Sequence, residues 1–408
     1  MNPSASGWIL KFFNQFGKDQ LIDRFVDDSQ FYIELISSGF IYGVSVKALP
    51  NKSISNLKIT NEEYTKINLL HSLLFIYFKK NKESNIKEAI KNINQFYSIL
   101  EKGKTGILKK LSLSQSAATN LEYVLAARLN ESNSDLEKNS TSVLTYALLF
   151  VDILAYRFYL THLNASEEEL KKYSESLESS LINVCFLALK SKKVKNKNDL
   201  QLIDLYDSST DYLIDEDHLH FIDSVRSQTY LSKYEVPEKQ FLLDICCLAI
   251  WDDRVLDETE YQFLLQLSEI LEFSEEELSF SIQNLKGFSK ENQTKIKLFE
   301  YSSPIIQLYK QSTSTVKKLI LRNKNRLIKE LNESGELLLL LSQSTLRDLN
   351  AEEKKKVKEQ LLDICKSVPS LTIFLVPGGS LLLPILVKYI PSLLPSAFQD
   401  NKIEKKDT

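Results

Sequence analysis

The sequence predicts an all-α protein with several helical units, and three observations support this prediction. Glycine and proline are scarce, with ten and nine residues among 408, whereas together they make up roughly 12% of an average protein. A β-sandwich needs turn residues about every 8–12 positions, so this composition argues against one. Apolar residues also recur at helical spacing along most of the chain. A single core stops growing beyond roughly 250–300 residues, so we expect two or more units.

The first predicted helix lies at the N-terminus, where Trp8, Ile9, Phe12, Phe13 and Phe16 recur at helical spacing. We expect these side chains to dock the helix on the protein core. An interfacial membrane helix is the alternative, because such helices also gather aromatic residues on one face. No basic region precedes an apolar run here, so we expect no secretory signal.

Amphipathic helices are predicted next, between residues 19 and 129, where apolar positions repeat near i, i+3, i+4 and i+7. The stretch 139–163 is apolar almost all round and predicts a central core helix. Asp152 lies in its middle, and we expect it to hydrogen-bond Tyr156 or to pair with Arg157. A transmembrane helix is the alternative, although it would place both charged residues inside a span of about 20 residues.

Residues 236–290 predict a module of three helices. Asp257 with Glu260, and Ser274 with Glu277, have the spacing of a capping box. In that motif each side chain accepts a hydrogen bond from a backbone N–H that the first helical turn leaves free. Two helix starts are therefore marked by local signals, after a first helix that is mainly apolar.

This module resembles the TerB-like (tellurite-resistance) helical family. The matching residues are Asp253 in the turn, Asp257 at the cap and Glu260 seven positions after Asp253, while Arg254 stands where the family usually has Gly. The resemblance implies a candidate divalent-cation site formed by these three acidic residues. Turn formation and helix capping are the alternative roles for the same side chains.

The 21 residues from 367 to 387 carry no charge, which is enough for a helix to cross the hydrocarbon of a bilayer. Pro377, Gly378 and Gly379 interrupt the run at its centre, and Pro384 follows. Proline removes a backbone donor and clashes with the preceding turn. The pattern therefore predicts a hydrophobic helical hairpin broken by Pro and Gly. Spanning the membrane, monotopic insertion and burial within the protein stay open.

The same segment resembles the membrane segment of the LETM family, whose members lie in the mitochondrial inner membrane. The candidate membrane residues are Pro377, Gly378, Gly379, Leu382, Leu383, Pro384, Lys388, Pro391, Leu394, Pro395 and Phe398. Together with the TerB-like module, the segment resembles bacterial LETM-related biofilm-associated proteins. We expect neither the large soluble domain nor the EF-hand of the LETM family after Phe398, so the resemblance does not imply cation/proton exchange.

Basic residues cluster ahead of this segment, with six Lys or Arg between 311 and 330 against the single acid Glu330. On an amphipathic helix such residues suit an anionic lipid surface. Packing of this helix onto the rest of the protein is the alternative.

The predicted boundaries divide the chain into six regions, each with its own composition. They are an N-terminal helical region 1–130, a central helical region with an acidic connection 131–235, the TerB-like module 236–290, basic amphipathic helices 291–366, the LETM-like hydrophobic segment 367–398 and a polar tail 399–408.

Composition and the absence of certain sequence motifs exclude several classes of function. Eight of the 51 basic residues are Arg and the net charge is −3, which argues against a specific nucleic-acid reader. The chain has no glycine-rich phosphate loop and no recognisable catalytic triad, so we expect no enzyme. No cofactor is expected beyond the candidate divalent cation. The four Cys lack a metal-type CxxC spacing and predict buried free thiols in a reducing compartment.

We therefore expect a non-enzymatic scaffold, or an envelope or biofilm-related protein, in the cytoplasm at the inner membrane. Membrane lipids or other proteins would be its partners. A soluble interaction protein with a buried hairpin is one alternative, and a component of cation homeostasis or transport is the other. The second alternative is weakened because the hairpin has no carboxylate to carry cations.

Overall fold

The structure is a computed structural model. It describes residues 1–50, 54, 59–103, 116–132, 144, 146–193, 195, 200, 203, 229–251, 256–292 and single positions between 337 and 360. Every regular element in these ranges is helical, so the all-α prediction is confirmed. The chain divides into two compact units.

The first unit comprises Met1–Asn133, Glu137–Leu200 and Ile222–Gln311. Its N-terminal helices are α1 (Trp8–Lys18), a π-helical turn (Asp19–Asp23), α2 (Asp28–Ser38), α3 (Asn61–Lys80), α4 (Ile86–Leu100) and α5 (Ala117–Ser132). Capping boxes open α3 at Thr60 and α4 at Asn85. Local hydrogen bonding by these side chains therefore sets where two of the helices begin.

The remaining helices of this unit are α6 (Leu148–Thr161), α7 (Glu167–Ser191), a 3-10 turn (Thr229–Lys233), α8 (Val236–Ile250), α9 (Glu258–Ile270) and α10 (Glu275–Asn292). The three helices predicted for residues 236–290 are thus present as α8, α9 and α10. Helix α7 packs against α8, and α8 packs in turn against α9 and α10.

Helix α1 docks on the first unit, as predicted. Trp8, Ile9, Phe12 and Phe16 are all buried. The carboxylate of Glu122 on α5 accepts hydrogen bonds from the backbone N–H of Gly7, at 3.0 Å, and of Ile9, at 3.2 Å. A side chain distant in sequence therefore satisfies two of the backbone donors that the first turn of α1 leaves free.

Helix α6 is a central core helix, as predicted for this stretch, but it begins at Leu148 rather than at residue 139, because Leu144 has a left-handed backbone and residues 146–147 form a turn. It packs against α3 and α7, and residues 148–156 are buried on every face. Its apolar character all round matches this burial. Among the described helices, α6 included, we find none that combines the length and the apolar character needed to cross a bilayer.

The second unit comprises Ser134–Leu136, Gln201–Phe221 and Ser312–Thr408. Its described residues from 352 to 360 are helical. A capping box opens this helix: the Asn350 N–H donates to Glu353 Oε2, and the Glu353 N–H donates to Asn350 Oδ1, both at 2.8 Å. The basic stretch 311–330 and the segment 367–398 lie outside the described residues, as does the hairpin prediction. The six predicted regions stay a prediction.

Candidate functional site

The acidic residues at the start of α9 form a reciprocal helix cap. The Glu260 N–H donates to Asp257 Oδ1 at 2.9 Å, and the Asp257 N–H donates to Glu260 Oε2 at 2.9 Å. The hydroxyl of Thr259 also donates to Asp257 Oδ1. The hydrogen bond from Thr259, then that from the Glu260 N–H, lower the pKa of Asp257. The capping role proposed for both carboxylates is therefore present.

Cation binding at this turn stays a prediction. Asp253, the third residue of the candidate site, lies outside the described residues. Within the part of the chain that the structure describes, no group of three or more His, Cys, Asp or Glu side chains is arranged to hold a metal ion. The two described residues of the candidate site, Asp257 and Glu260, each use a carboxylate oxygen to accept a hydrogen bond of the helix cap.

Asp152 is the centre of a buried ion cluster between helices. Arg128 on α5 donates through Nε to Oδ2 at 2.7 Å and through Nη2 to Oδ1 at 3.2 Å. Lys102 Nζ donates to Oδ1 at 3.2 Å, and the Tyr97 hydroxyl lies 3.4 Å from Oδ2. Burial alone would raise the pKa of Asp152, but Arg128 and Lys102 outweigh it and hold this pKa below its ordinary value.

The partners predicted for Asp152 were wrong. The Tyr156 hydroxyl donates to Asn92 Oδ1 at 2.7 Å, and Arg157 pairs with Glu235. Neighbours on the same helix were the natural candidates from sequence. A fully buried carboxylate that stays ionised, however, needs a compensating cation, and here Arg128 and Lys102 on other segments of the chain supply it.

Asp244 on α8 is a second buried carboxylate, in a different environment. It is 1% exposed. The Tyr32 hydroxyl donates to Oδ2 at 2.6 Å, and Gln240 Nε2 donates to the same oxygen at 3.2 Å. Oδ1 has no hydrogen-bond partner among the described residues. Asp244 is not among the residues predicted from the sequence, although an Asp inside the apolar run of α8 is a visible signal.

The described cysteines are buried free thiols, as predicted. Cys185, Cys246 and Cys247 are all inaccessible to solvent, or nearly so. Burial raises the pKa of the Cys246 thiol, and a hydrogen bond with Cys185 on α7 raises it further. Burial, then Asp244, raises the pKa of Cys247. The two adjacent thiols therefore face different neighbours.

The two histidines among the described residues, His71 and His162, differ in environment. His71 is fully buried, and its Nε2 lies 2.6 Å from the Leu21 carbonyl oxygen. Burial lowers the pKa of His71 to about 3, which keeps the ring neutral. Its Nδ1 has no hydrogen-bond partner among the described residues. His162 lies at the exposed end of α6, beside Thr161.

Similarity to known proteins lies at the C-terminal end of the chain. Residues 349–408 match the family model described as LETM1-like, RBD. The LETM1 domain-containing protein mdm28, mitochondrial, of Schizosaccharomyces pombe is 44% identical over 55 residues. That alignment covers 14% of this chain and 12% of the relative. No solved structure matches the chain.

These matches confirm the predicted LETM-like character of the C-terminal residues 349–408. All eleven candidate membrane residues, from Pro377 to Phe398, lie inside the matched range 349–408. They also lie outside the described residues, so their roles stay predictions. The described capping box at Asn350 and Glu353 falls at the start of the matched range.

Proposed function

We propose that this chain is a non-enzymatic, membrane-associated scaffold that attaches to a lipid bilayer through its C-terminal LETM-like segment. The proposal rests on the overlap of two ranges in the sequence. The uncharged run 367–387 lies wholly within residues 349–408, which match the LETM1-like model. Burying apolar side chains in hydrocarbon is favourable, and an uncharged run avoids the cost of bringing a charge into the bilayer.

A second contact with the membrane is provided by the basic stretch 311–330. Each Lys or Arg near an anionic surface contributes about 1 kcal/mol to binding. Stable attachment commonly needs two signals, such as an apolar insertion and a polybasic patch. Both are present here, separated by fewer than forty residues of the sequence.

The helical body of the first unit supports the scaffold part of the proposal. Most of its described apolar residues are buried in its own core, and the ion cluster around Asp152 and the polar cluster around Asp244 are enclosed within it. The two most exposed large apolar side chains, Val26 and Leu163, lie in loops between helices. The body is therefore suited to a water-facing role while the C-terminal segment meets the lipid.

The location and partners are part of the same proposal. We assign the protein to the cytoplasmic side of an inner membrane, with lipids and other proteins as partners. The relative from fission yeast is named as a mitochondrial protein. Three further parts of the proposal rest on the sequence resemblance. They are the TerB-like assignment of residues 236–290, a divalent cation near Asp257 and a role in biofilm or envelope processes.

Cell fractionation tests this proposal. We expect the full chain to sediment with membranes at low salt and to stay there after a high-salt wash, because salt weakens only the basic contact. Replacing the six basic residues between 311 and 330 by Gln makes the matched control. This variant should bind less to anionic membranes but stay attached. A chain found wholly in the soluble fraction at low salt would contradict the proposal.

A further inference from the structure

Asp244 lies where three segments of the first unit meet. Tyr32 reaches it from α2, and Gln240 reaches it from the preceding turn of α8. The amide of Gln240 also donates to Ser281 Oγ on α10 at 2.9 Å. One polar cluster therefore ties α2, α8 and α10 together.

Close packing surrounds this cluster. Gly39, which ends α2 in the left-handed conformation, lies so near α10 that an added Cβ would come within 2.6 Å of the Phe288 ring. The Tyr42 ring is 5.0 Å from the Phe288 ring, and the Tyr42 hydroxyl is buried without a hydrogen-bond partner among the described residues. The contact between α2 and α10 beside this cluster is therefore tightly packed.

Within the described part of the chain, the ionisable groups that act on Asp244 carry no positive charge. Tyr32 and Tyr42 approach from the α2 side, and Cys247 lies one turn further along α8. Helix α10 contributes the neutral Ser281. Burial raises the pKa of Asp244 to about 6, although hydrogen bonds with Tyr32, Ser281 and Gln240 pull it down. The contrast is with Asp152, which is equally buried but has two cations beside it.

We propose that Asp244 makes the docking of α2 on α8 and α10 sensitive to pH, with the junction tight when this carboxyl is protonated and loosened when it is ionised. Among the described residues the ionised form has no cation beside it, and only Oδ2 has hydrogen-bond donors. Buried charges of this kind are costly unless they are paired. Protonation removes the charge and with it this cost.

The direction of the effect follows from linkage. The closed junction raises the pKa of Asp244 above its ordinary value of 3.8, so it binds the proton more tightly than the opened junction does. The resulting stabilisation is fully present below pH 3.8 and is lost as the pH rises through about 6. Between pH 5 and pH 8 the opening equilibrium constant should therefore rise about tenfold.

Hydrogen exchange of the full chain tests the proposal. We expect the protection of α2 amides, corrected for intrinsic exchange rates, to fall about tenfold from pH 5 to pH 8. Asp244→Asn should keep the protection nearly constant over this range. Asp28→Asn is the matched control, because Asp28 is an exposed carboxylate on the same helix that pairs with Lys79. This control should behave as the wild type does.

Two results would overturn the proposal. One is protection of α2 in the wild type that does not depend on pH. The other is a pH dependence that is unchanged in a folded Asp244→Asn variant. Should that variant fail to fold, the ¹³C shift of the Asp244 carboxyl in the wild type decides. Titration near pH 6 supports the proposal, and titration near pH 4 contradicts it.

Discussion

Arg128 Nε donates to Asp152 Oδ2 across 2.7 Å inside the first unit, although the two residues belong to different helices. Lys102 completes the pairing from a third segment. Asp244 is just as buried, but the described side chains that donate to it, Tyr32 and Gln240, are neutral. The pKa of the Asp152 carboxyl is therefore lowered and that of the Asp244 carboxyl is raised, and the presence of a cation decides the direction.

Replacing Arg128 by Met should destabilise the protein strongly. Removing one partner of a buried ion pair costs about 3–5 kcal/mol when it leaves a charge uncompensated. Lys102 still pairs with Asp152, so we expect a loss near the lower end of this range. Urea denaturation at pH 7 measures this change in the free energy of unfolding. Lys172→Met is the control, because Lys172 forms an exposed pair with Glu168 on α7. A loss below about 1 kcal/mol for Arg128→Met would show that Asp152 does not depend on Arg128.

Acid should weaken the same cluster. The folded state holds the pKa of Asp152 below its ordinary value of 3.8. Asp152 therefore contributes stability above pH 3.8, and this contribution is lost as the pH falls through the folded value. Urea midpoints of Asp152→Asn and the wild type should approach each other on acidification. A gap that stays constant from pH 7 to pH 3 would be inconsistent with this account.

Asp257 should stabilise α9 as a helix cap. Asp257→Ala should lower the thermal midpoint, whereas Asp257→Asn should nearly preserve it, since Asn caps helices about as well as Asp does. Calcium should not raise the midpoint of the wild type. Calorimetric binding of calcium that both substitutions abolish would instead support the cation site with Asp253 and Glu260.

Gly39→Ala should destabilise the junction of α2 and α10. Gly39 and Gly7 both have φ above +80°, but only Gly39 has close neighbours, with Val44 O 2.2 Å from an added Cβ. Gly7→Ala therefore serves as the control for the backbone strain alone. Overpacking should make Gly39→Ala about 1–3 kcal/mol less stable than Gly7→Ala. Equal unfolding free energies would mean that the neighbours of Gly39 move away freely.

The central break in the C-terminal run should control its topology. Replacing Pro377, Gly378 and Gly379 by Leu should create a continuous apolar helix. Leu at position 377 restores the backbone N–H donor that proline lacks, and Leu at the other two positions removes the conformational freedom of glycine. The tail 399–408 should then move across the membrane and become inaccessible to protease added on the cytoplasmic side. A tail that is already protected in the wild type would mean that the segment spans despite its prolines.

Helix positions were predictable from local signals, whereas the buried ionic partners were not. The capping pairs at Asp257 and Ser274 involve side chains and backbone three positions apart, so the sequence displays them directly. Tyr32 and Asp244 are 212 positions apart. Such a pairing depends on how the helices pack. The sequence around either residue therefore does not indicate its partner.

Vesicle flotation tests most directly the claim that the C-terminal segment attaches this protein to lipid. The full chain and a variant without residues 367–408 would be compared on vesicles containing anionic lipid, at low and at high salt. We expect the full chain to float in both conditions. The shortened chain should bind weakly at low salt, through residues 311–330, and should be released at high salt. Equal flotation of the two chains at high salt would contradict the account.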